Sequence, residues 1–479
     1  MICRFRINYK MEIRLNRSFL VVLIAGLLAI PTDIPFSWPS PELPKLYSNN
    51  TSINPLGRSI TESEDAWIGS LLFLGAIIGP FPCGYIAEKF GRKPALLVTA
   101  APLSISFFTL AFSKNINLMY FARAIAGFAL GASYAILPLY IAEIAENHDR
   151  GALTQILNIF WAIGNCLSYS FAPFVSYKLF NLIAAVIPTA FLVLFFLLAP
   201  ETPYFLARGK DDAKIRQSLM LLRRNPSQTQ ITAEIKEIQK QIDNEENGDL
   251  MDIFKYPNLQ KAFLISSVLL ASQELSGVGS ITTYLQLIFE ASDSKMSSEM
   301  CSVISSVCIF FASIVSPFIV DRQGRRLLIL GSLFGLFVSL FAIGGFFYIK
   351  DFTTWATDSI SWIPLASLIL YIFAYNFGIS SVPWTICAEV FPNNQRQNAT
   401  MIISIICWSI SFFVTNFFNK MNNLIGMAGS FWMYSGFCLL AGIFSLFCVP
   451  ETKGKSFEEI QEIIKSRSLF RYGFYKTKK

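Results

Sequence analysis

Apolar runs alternate with short polar turns along almost the whole chain, and each run has the roughly 20 residues that a helix needs to cross about 30 Å of hydrocarbon. Twelve such runs lie near residues 19–38, 67–87, 94–112, 118–142, 152–173, 180–199, 261–289, 299–320, 327–348, 361–388, 399–418 and 429–449. The pattern predicts an all-α membrane protein with twelve transmembrane helices. A polar stretch at 203–260 divides the runs six and six. Within it, Asp211 to Arg224 and Ile231 to Asn244 space apolar positions helically among charges, which predicts two amphipathic helices on the membrane surface. The expected organisation is a tail at 1–18, a six-helix bundle at 19–202, the linker at 203–260, a second bundle at 261–452 and a tail at 453–479.

The polar turns show that the two bundles are copies. Gly84 to Lys93 reads GYIAEKFGRK, and Asp321 to Arg326 reads DRQGRR; each has an acid, Gly, Arg and then Lys or Arg between long apolar runs. Glu143 and Arg150 are answered by Glu389 and Arg396 at the same spacing, and Pro200-Glu201-Thr202 by Pro450-Glu451-Thr452. The offsets (324 − 91 = 233, 389 − 143 = 246, 450 − 200 = 250) describe one unit of about 240 residues written twice, the mark of a pseudo-symmetric duplication.

Composition agrees with lipid as the medium: 53% of residues are hydrophobic, 15% are charged, and the mean hydropathy is +0.49. The formal charge of +7 follows topology. Lys and Arg gather at the amino terminus, at Lys89 to Lys93, Arg150, Arg322 to Arg326, Arg396 and beyond Lys453, so these turns and both termini are expected on the cytoplasmic side. A nucleic-acid partner is not expected. The first apolar run has no small-residue cleavage site after it and is expected to remain as a helix. Nine scattered cysteines without CxxC spacing, and a single His148 in an inner loop, give no disulfide framework, metal site or cofactor site. No nucleophile, base and orienting group cluster, so an enzyme is not expected.

Charges and breaks within the runs are the candidate chemistry. Pro31 and Pro35 are expected to break span 1 beside Asp33, which is either a cavity acid and proton site or a residue of the outer mouth. Asn49 and Asn50 head two overlapping glycosylation sequons on the expected outer side. Gly84, Gly127 and Gly131 suit close helix approach, and Arg123, near the outer end of span 4, is placed to snorkel. Arg92, Glu143, Arg150, Glu201, Asp321, Arg325, Arg326, Glu389, Arg396 and Glu451 put opposite charges around one inner surface. They are expected either to latch the two halves together and part when a cavity opens inward, or to fasten loops permanently to helix ends.

Taken together, these motifs resemble a sugar porter of the major facilitator superfamily: GYIAEKFGRK, Arg123 to Gly131, Pro138-x-Tyr140-x-x-Glu143, PETP at Pro200, QELSG at Gln273, DRQGRR, Pro383-Trp384, EVFPNNQR at Glu389 and PETKG at Pro450. The Trp-Pro-Ser-Pro segment from Trp38 is most similar to the insect-type facilitated trehalose and hexose transporters. The resemblance implies two six-helix bundles, a central sugar site and alternating access, with no cofactor.

A sugar site needs hydrogen-bonding groups for hydroxyls and aromatic faces for C–H surfaces. Gln273, Glu274 and Tyr284 of span 7, Asn158 of span 5, Asn376 and Trp384 of span 10 and Trp408 of span 11 supply them, and Gly277 and Gly279 let span 7 bend. The span-7 pattern departs from the family at Glu274, where an amide is usual, and at Gly279; Tyr204 and Cys407 depart elsewhere. Glu274 is thereby a second proton-site candidate beside Asp33, or a partner for a cation on another substrate. The expectation is facilitated diffusion of trehalose or a hexose through a monomer in the plasma membrane. The alternatives are a proton-coupled symporter and a sensor that binds sugar without moving it.

Overall fold

The computed structural model describes residues 17–146, 149–209, 211–223, 226–243, 251–355, 359–455 and 457–466, and among these every regular element is helical. Spans 1 to 6 are Arg17–Ser37, Glu62–Lys89, Arg92–Phe112, Ile116–Ile144, Arg150–Phe171 and Tyr177–Leu198. Spans 7 to 12 are Pro257–Ala291, Ser298–Arg322, Arg325–Phe352, Ile363–Val390, Asn393–Asn416 and Phe418–Cys448. Eleven helices among the described residues are long and apolar enough to cross a membrane. Span 5 is the twelfth by position; Thr154, Asn158, Asn165, Ser168 and Ser170 dilute its apolar character.

The duplication is visible in the packing. Span 1 lies on 5, 2 on 4 and 3 on 6 in the first half; 7 lies on 11, 8 on 10 and 9 on 12 in the second. Between the halves span 5 packs on span 8 and span 2 on span 11, contacts that exchange under a shift of six spans. The closest internal approach is that of spans 2 and 4. A Cβ on Gly127 would stand 1.9 Å from the Leu72 carbonyl oxygen, so a side chain there would force the helices apart. Gly84 has nothing within 4 Å of its Cβ position, so the close approach expected there is not made.

Pro31 and Pro35 do not break span 1. The helix runs to Ser37 and turns at Trp38 before a second helix, Pro39–Tyr47. Pro39 has no N–H to offer the carbonyl of Pro35 four residues earlier, and Arg123 takes its place. Its Nη1 donates to the Pro35 oxygen at 2.6 Å and its Nε to Ile68 at 2.7 Å, with the guanidinium 5.3 Å from the Trp38 ring. At 1% exposure Arg123 does not snorkel; it ties spans 1, 2 and 4 together.

The linker packs on the first half. Pro203–Arg208, Asp212–Leu222 and Gln228–Asp243 share a small core of Ile215, Leu219, Ile231, Ile235 and Ile238. Arg223, paired with Glu234 at 2.6 Å, donates to the Ile144 carbonyl at the end of span 4 at 2.8 Å. The helix Phe457–Ser466 sits instead on the second half, where Gln461 donates to the Val390 carbonyl at 2.6 Å.

Candidate functional site

At the end of the bundle that bears the basic turns, each half carries the same fastening. Span 3 starts after Gly91, whose φ of +114° and whose Cβ position, 2.2 Å from Glu201 Oε2, both exclude a side chain. Glu201 accepts the backbone N–H groups of Arg92 and Lys93 at 3.1 Å each and so caps the span. Burial pushes the Glu201 carboxyl above its ordinary value, against the pull of the N–H donors of Thr202, Lys93 and Arg92. The Arg92 side chain grips Glu143 at 2.9 and 3.1 Å, and Thr202 donates to the other Glu143 oxygen at 2.6 Å.

In the second half Glu451 accepts from Arg325 N at 3.0 Å and Arg326 N at 3.2 Å, Arg325 reaches Glu389 at 3.2 Å, and a Cβ on Gly324 would stand 2.3 Å from Glu451. Each described pair joins residues of one half. In this conformation, closed at the opposite end, they fix a turn to the ends of its own helices. Arg396 is exposed at the start of span 11. The side chains of Arg150 and Asp321, and all of His148, lie outside the described residues.

Midway along the spans, where the halves meet, two carboxyl groups occupy matching places. Asp33 of span 1 is 6% exposed and lies inside the bundle, not at its mouth; Tyr134 of span 4 and Asn165 of span 5 each donate to one of its oxygens. Glu274 of span 7 is 4% exposed and accepts from Ser411 and, at 3.4 Å, from Cys407, both in span 11. Their separation, 274 − 33 = 241, is that of the repeat. Gln273 donates to the Tyr375 hydroxyl at 3.0 Å, and its Oε1 is buried without a partner.

Two breaks in the helices set up this region. Span 7 is interrupted at Gly277 (φ +83°), where a Cβ would enter the Tyr434 ring. Span 10 widens into a π turn at Tyr375–Ile379, where Ser332 donates to the Ala374 carbonyl at 2.6 Å and accepts from Ile379 N at 3.0 Å. Aromatic faces cross the seam: Trp161 and Tyr134 lie 4.7 Å apart, Tyr134 and Trp408 6.2 Å, and Trp408 and Phe73 6.1 Å.

At the opposite end the halves are closed on each other. Asn416 donates to Ser70 at 2.9 Å, Asn419 to Asp65 at 3.0 Å and Asn423 to Glu62 at 2.7 Å. Tyr169 donates to the Thr282 carbonyl at 2.9 Å and Gln286 N to Ser40 at 3.0 Å, while Ser170 and Ser306 lie 2.6 Å apart. At the basic end Gln397 reaches Glu88 across the halves at 3.3 Å, with both residues exposed.

The other expected site residues are spread along this seam. Asn158 and Trp384 are half-buried on spans 5 and 10. The Asn376 amide is turned onto its own helix, donating to Ile372 at 2.8 Å. Tyr284 stacks on Phe418 at 4.9 Å, nearer the closed end than Glu274. Asn49 and Asn50 are exposed after the Pro39–Tyr47 helix. Among the described residues no group of three or more His, Cys, Asp or Glu is placed to hold a metal ion.

Sequence reasoning missed Tyr134, Asn165, Tyr375 and Ser411. A helical signal existed for two: Asn165 is two turns on from Asn158, and Ser411 one turn on from Cys407. The closed end was legible in the same way, since Glu62 and Asp65, and Asn416, Asn419 and Asn423, recur at helical spacing.

Residues 39–464 match the family model described as "Sugar (and other) transporter". The chain is similar to proteins named facilitated trehalose transporter Tret1. The Aedes aegypti protein is 32% identical over 85% of this chain and 50% of its own length, and the Culex quinquefasciatus protein 31% over 84% and 78%. The Apis mellifera ligustica protein is 30% identical over 96% of this chain and 90% of its own. The chain thus spans about half the length of several curated relatives, such as the Aedes aegypti protein at 50%, and nearly all of others. Its fold is similar to that of the xylose transporter XylE from E. coli in an inward open conformation, with a TM-score of 0.76 and 22% identity over 93% of this chain and 99% of that one.

Proposed function

This chain belongs to the sugar (and other) transporter family, and from that premise we propose that it carries trehalose or a hexose across the plasma membrane by facilitated diffusion. It is a multi-pass membrane protein of the twelve-helix major facilitator fold. The basic turns and both termini face the cytoplasm, in keeping with the placement of Lys and Arg. The conformation described is then closed to the outside. Gln273, Glu274 and Trp408, with Asp33, Tyr134 and Asn165 opposite, form the sugar site; Asn158, Trp384, Asn376 and Tyr284 extend it along the seam. Asn49 or Asn50 accepts an outer glycan, and the unit is a monomer.

The observation that carries this reading is the seam itself. Polar side chains and aromatic faces from spans 1, 4, 5, 7, 10 and 11 meet at mid-depth, where polar groups without a role in binding are costly. Rocking of two internally fastened halves about that seam exposes it alternately to each side. The test is uptake of labelled trehalose and glucose into liposomes holding the full chain, with and without a proton gradient. Saturable uptake that is indifferent to the gradient is expected. Binding without uptake, or cysteines at positions 273 and 384 that never become accessible from either side, would overturn the proposal.

A further inference from the structure

Resting on that reading of the seam as the substrate site, we propose that its preferred cargo bears a positive charge: a protonated amino sugar or amino polyol, held between Asp33 and Glu274. Both carboxyl groups are buried where the halves meet, in equivalent spans of the repeat, and their hydrogen-bond partners are neutral: Tyr134 and Asn165 for one, Ser411 and Cys407 for the other. No ion pair among the described residues includes either. Of the two buried arginines of the first half, Arg92 faces Glu143, and Arg123 spends its Nε and Nη1 on the Ile68 and Pro35 carbonyls.

The chain treats its other buried and half-buried acids differently. Glu143 faces Arg92 at 2.9 Å, Glu42 faces Lys45 at 2.9 Å, and Glu201 takes two backbone N–H groups at the head of span 3. Asp65, whose partners are also neutral, is used in the contact that closes the far end. Among the described residues, Asp33 and Glu274 are the acids that combine neutral partners with a place beside the aromatic lining.

A second observation points the same way. Gln273 stands beside Glu274, is 9% exposed, and has its Nε2 committed to Tyr375 while its Oε1 has no partner. The hydrogen-bonding capacity that Gln273 leaves open beside Glu274 is therefore acceptor capacity. A neutral sugar answers it with hydroxyl donors but leaves two desolvated carboxylates without a counter-charge. An ammonium group on the same ring brings three N–H donors and the charge. The Tyr134, Trp161 and Trp408 faces suit both the C–H surface of the ring and a cation held against it.

The experiment uses the full chain in liposomes and competition against counterflow of labelled glucose. D-glucosamine is set against N-acetyl-D-glucosamine, which keeps the skeleton and removes the charge, and against unlabelled glucose. Because a charge-assisted hydrogen bond is roughly twice as strong as a neutral one, half-inhibition by glucosamine is expected at a concentration about tenfold lower. D33N and E274Q should each bring the glucosamine-to-glucose ratio toward one, and Glu274→Asp should retain a preference. Equal or weaker competition by glucosamine in the unaltered protein overturns the inference while leaving sugar transport standing. Proton influx with glucose also overturns it, by giving the two acids to protons. Absence of exchange for every sugar removes the transport reading and this inference with it.

Discussion

The twin fastenings at the basic end share a motif but not a degree of burial, and this makes their loss unequal. The side chains of Arg92 and Glu143 are 5% and 9% exposed, those of Arg325 and Glu389 17% and 27%. In the Glu143→Ala variant the Arg92 guanidinium stays buried with the Ala87 carbonyl, at 2.9 Å, as its remaining acceptor, and the Thr202 hydroxyl loses its own. Removing one member of a buried pair costs about 3–5 kcal/mol, because the cost is dominated by the charge left behind. The second pair is already incomplete: it meets at 3.2 Å, and Arg325 Nε and Glu389 Oε2 have no partner. Water replaces the carboxylate more readily there, and Glu389→Ala should cost about 1 kcal/mol. Thermal unfolding of the two purified variants in one detergent measures the difference. Glu143→Ala should fall clearly below Glu389→Ala, and replacing both members of the first pair by apolar residues should recover part of the loss. A Glu389→Ala midpoint as low as that of Glu143→Ala would refute the reasoning from burial.

The remaining predictions concern the turn and the closed end. Gly91→Ala must both adopt a φ of +114° and displace Glu201, whereas Gly324→Ala, at a φ of −70°, only displaces Glu451; the first should unfold at the lower temperature by an amount reflecting about 1–2 kcal/mol of backbone strain. Asn419→Ala removes one hydrogen bond between the halves, made to a carboxylate and worth about 1.5–3 kcal/mol. It should raise the labelling rate of a cysteine at position 415 from outside about ten- to a hundredfold, and an unchanged rate would show that Asn419 does not hold that end shut.

The spans were legible because lipid imposes length and apolarity on every crossing, and the repeat was legible because charged turns are rare enough for a recurrence to stand out. Side-chain direction was not. Arg123 reads as a snorkelling residue because its partner is the Pro35 carbonyl, orphaned by Pro39, 88 positions away and invisible to any local pattern. Pro31 and Pro35 read as breaks because each removes an N–H, yet the helix continues through them and turns only at Trp38. Opposite charges around one surface left open a latch between halves or a fastening of loops to helix ends, since sequence shows which charges share a side but not which helix ends they sit on. Glu274 was found from its span, whereas Ser411 was overlooked because serine in a span commonly bonds its own backbone.

The distribution of bond types bears on how the two halves move. The described charged pairs at the basic end lie inside each half in this conformation, so the proposed rocking can open the far end without stripping Arg92 or Arg325 of its partner. What must part when the closed end opens is a set of hydrogen bonds between neutral groups, or between an amide and a carboxylate: Asn416 to Ser70, Asn419 to Asp65, Asn423 to Glu62, Tyr169 to Thr282. Those between neutral groups are worth about 0.5–1.5 kcal/mol net and those to a carboxylate about 1.5–3 kcal/mol, because water takes over as the contact opens. The contact formed at the other end returns part of that. The difference between the two facing states is then a few kcal/mol, a gap that binding at the seam can offset. A bundle whose halves were joined by a buried ion pair such as that of Arg92 and Glu143 would be held in one state by about 3–5 kcal/mol more. With the described ion pairs within the halves and the described contacts between them hydrogen-bonded, the proposed rocking draws on contacts that water can replace.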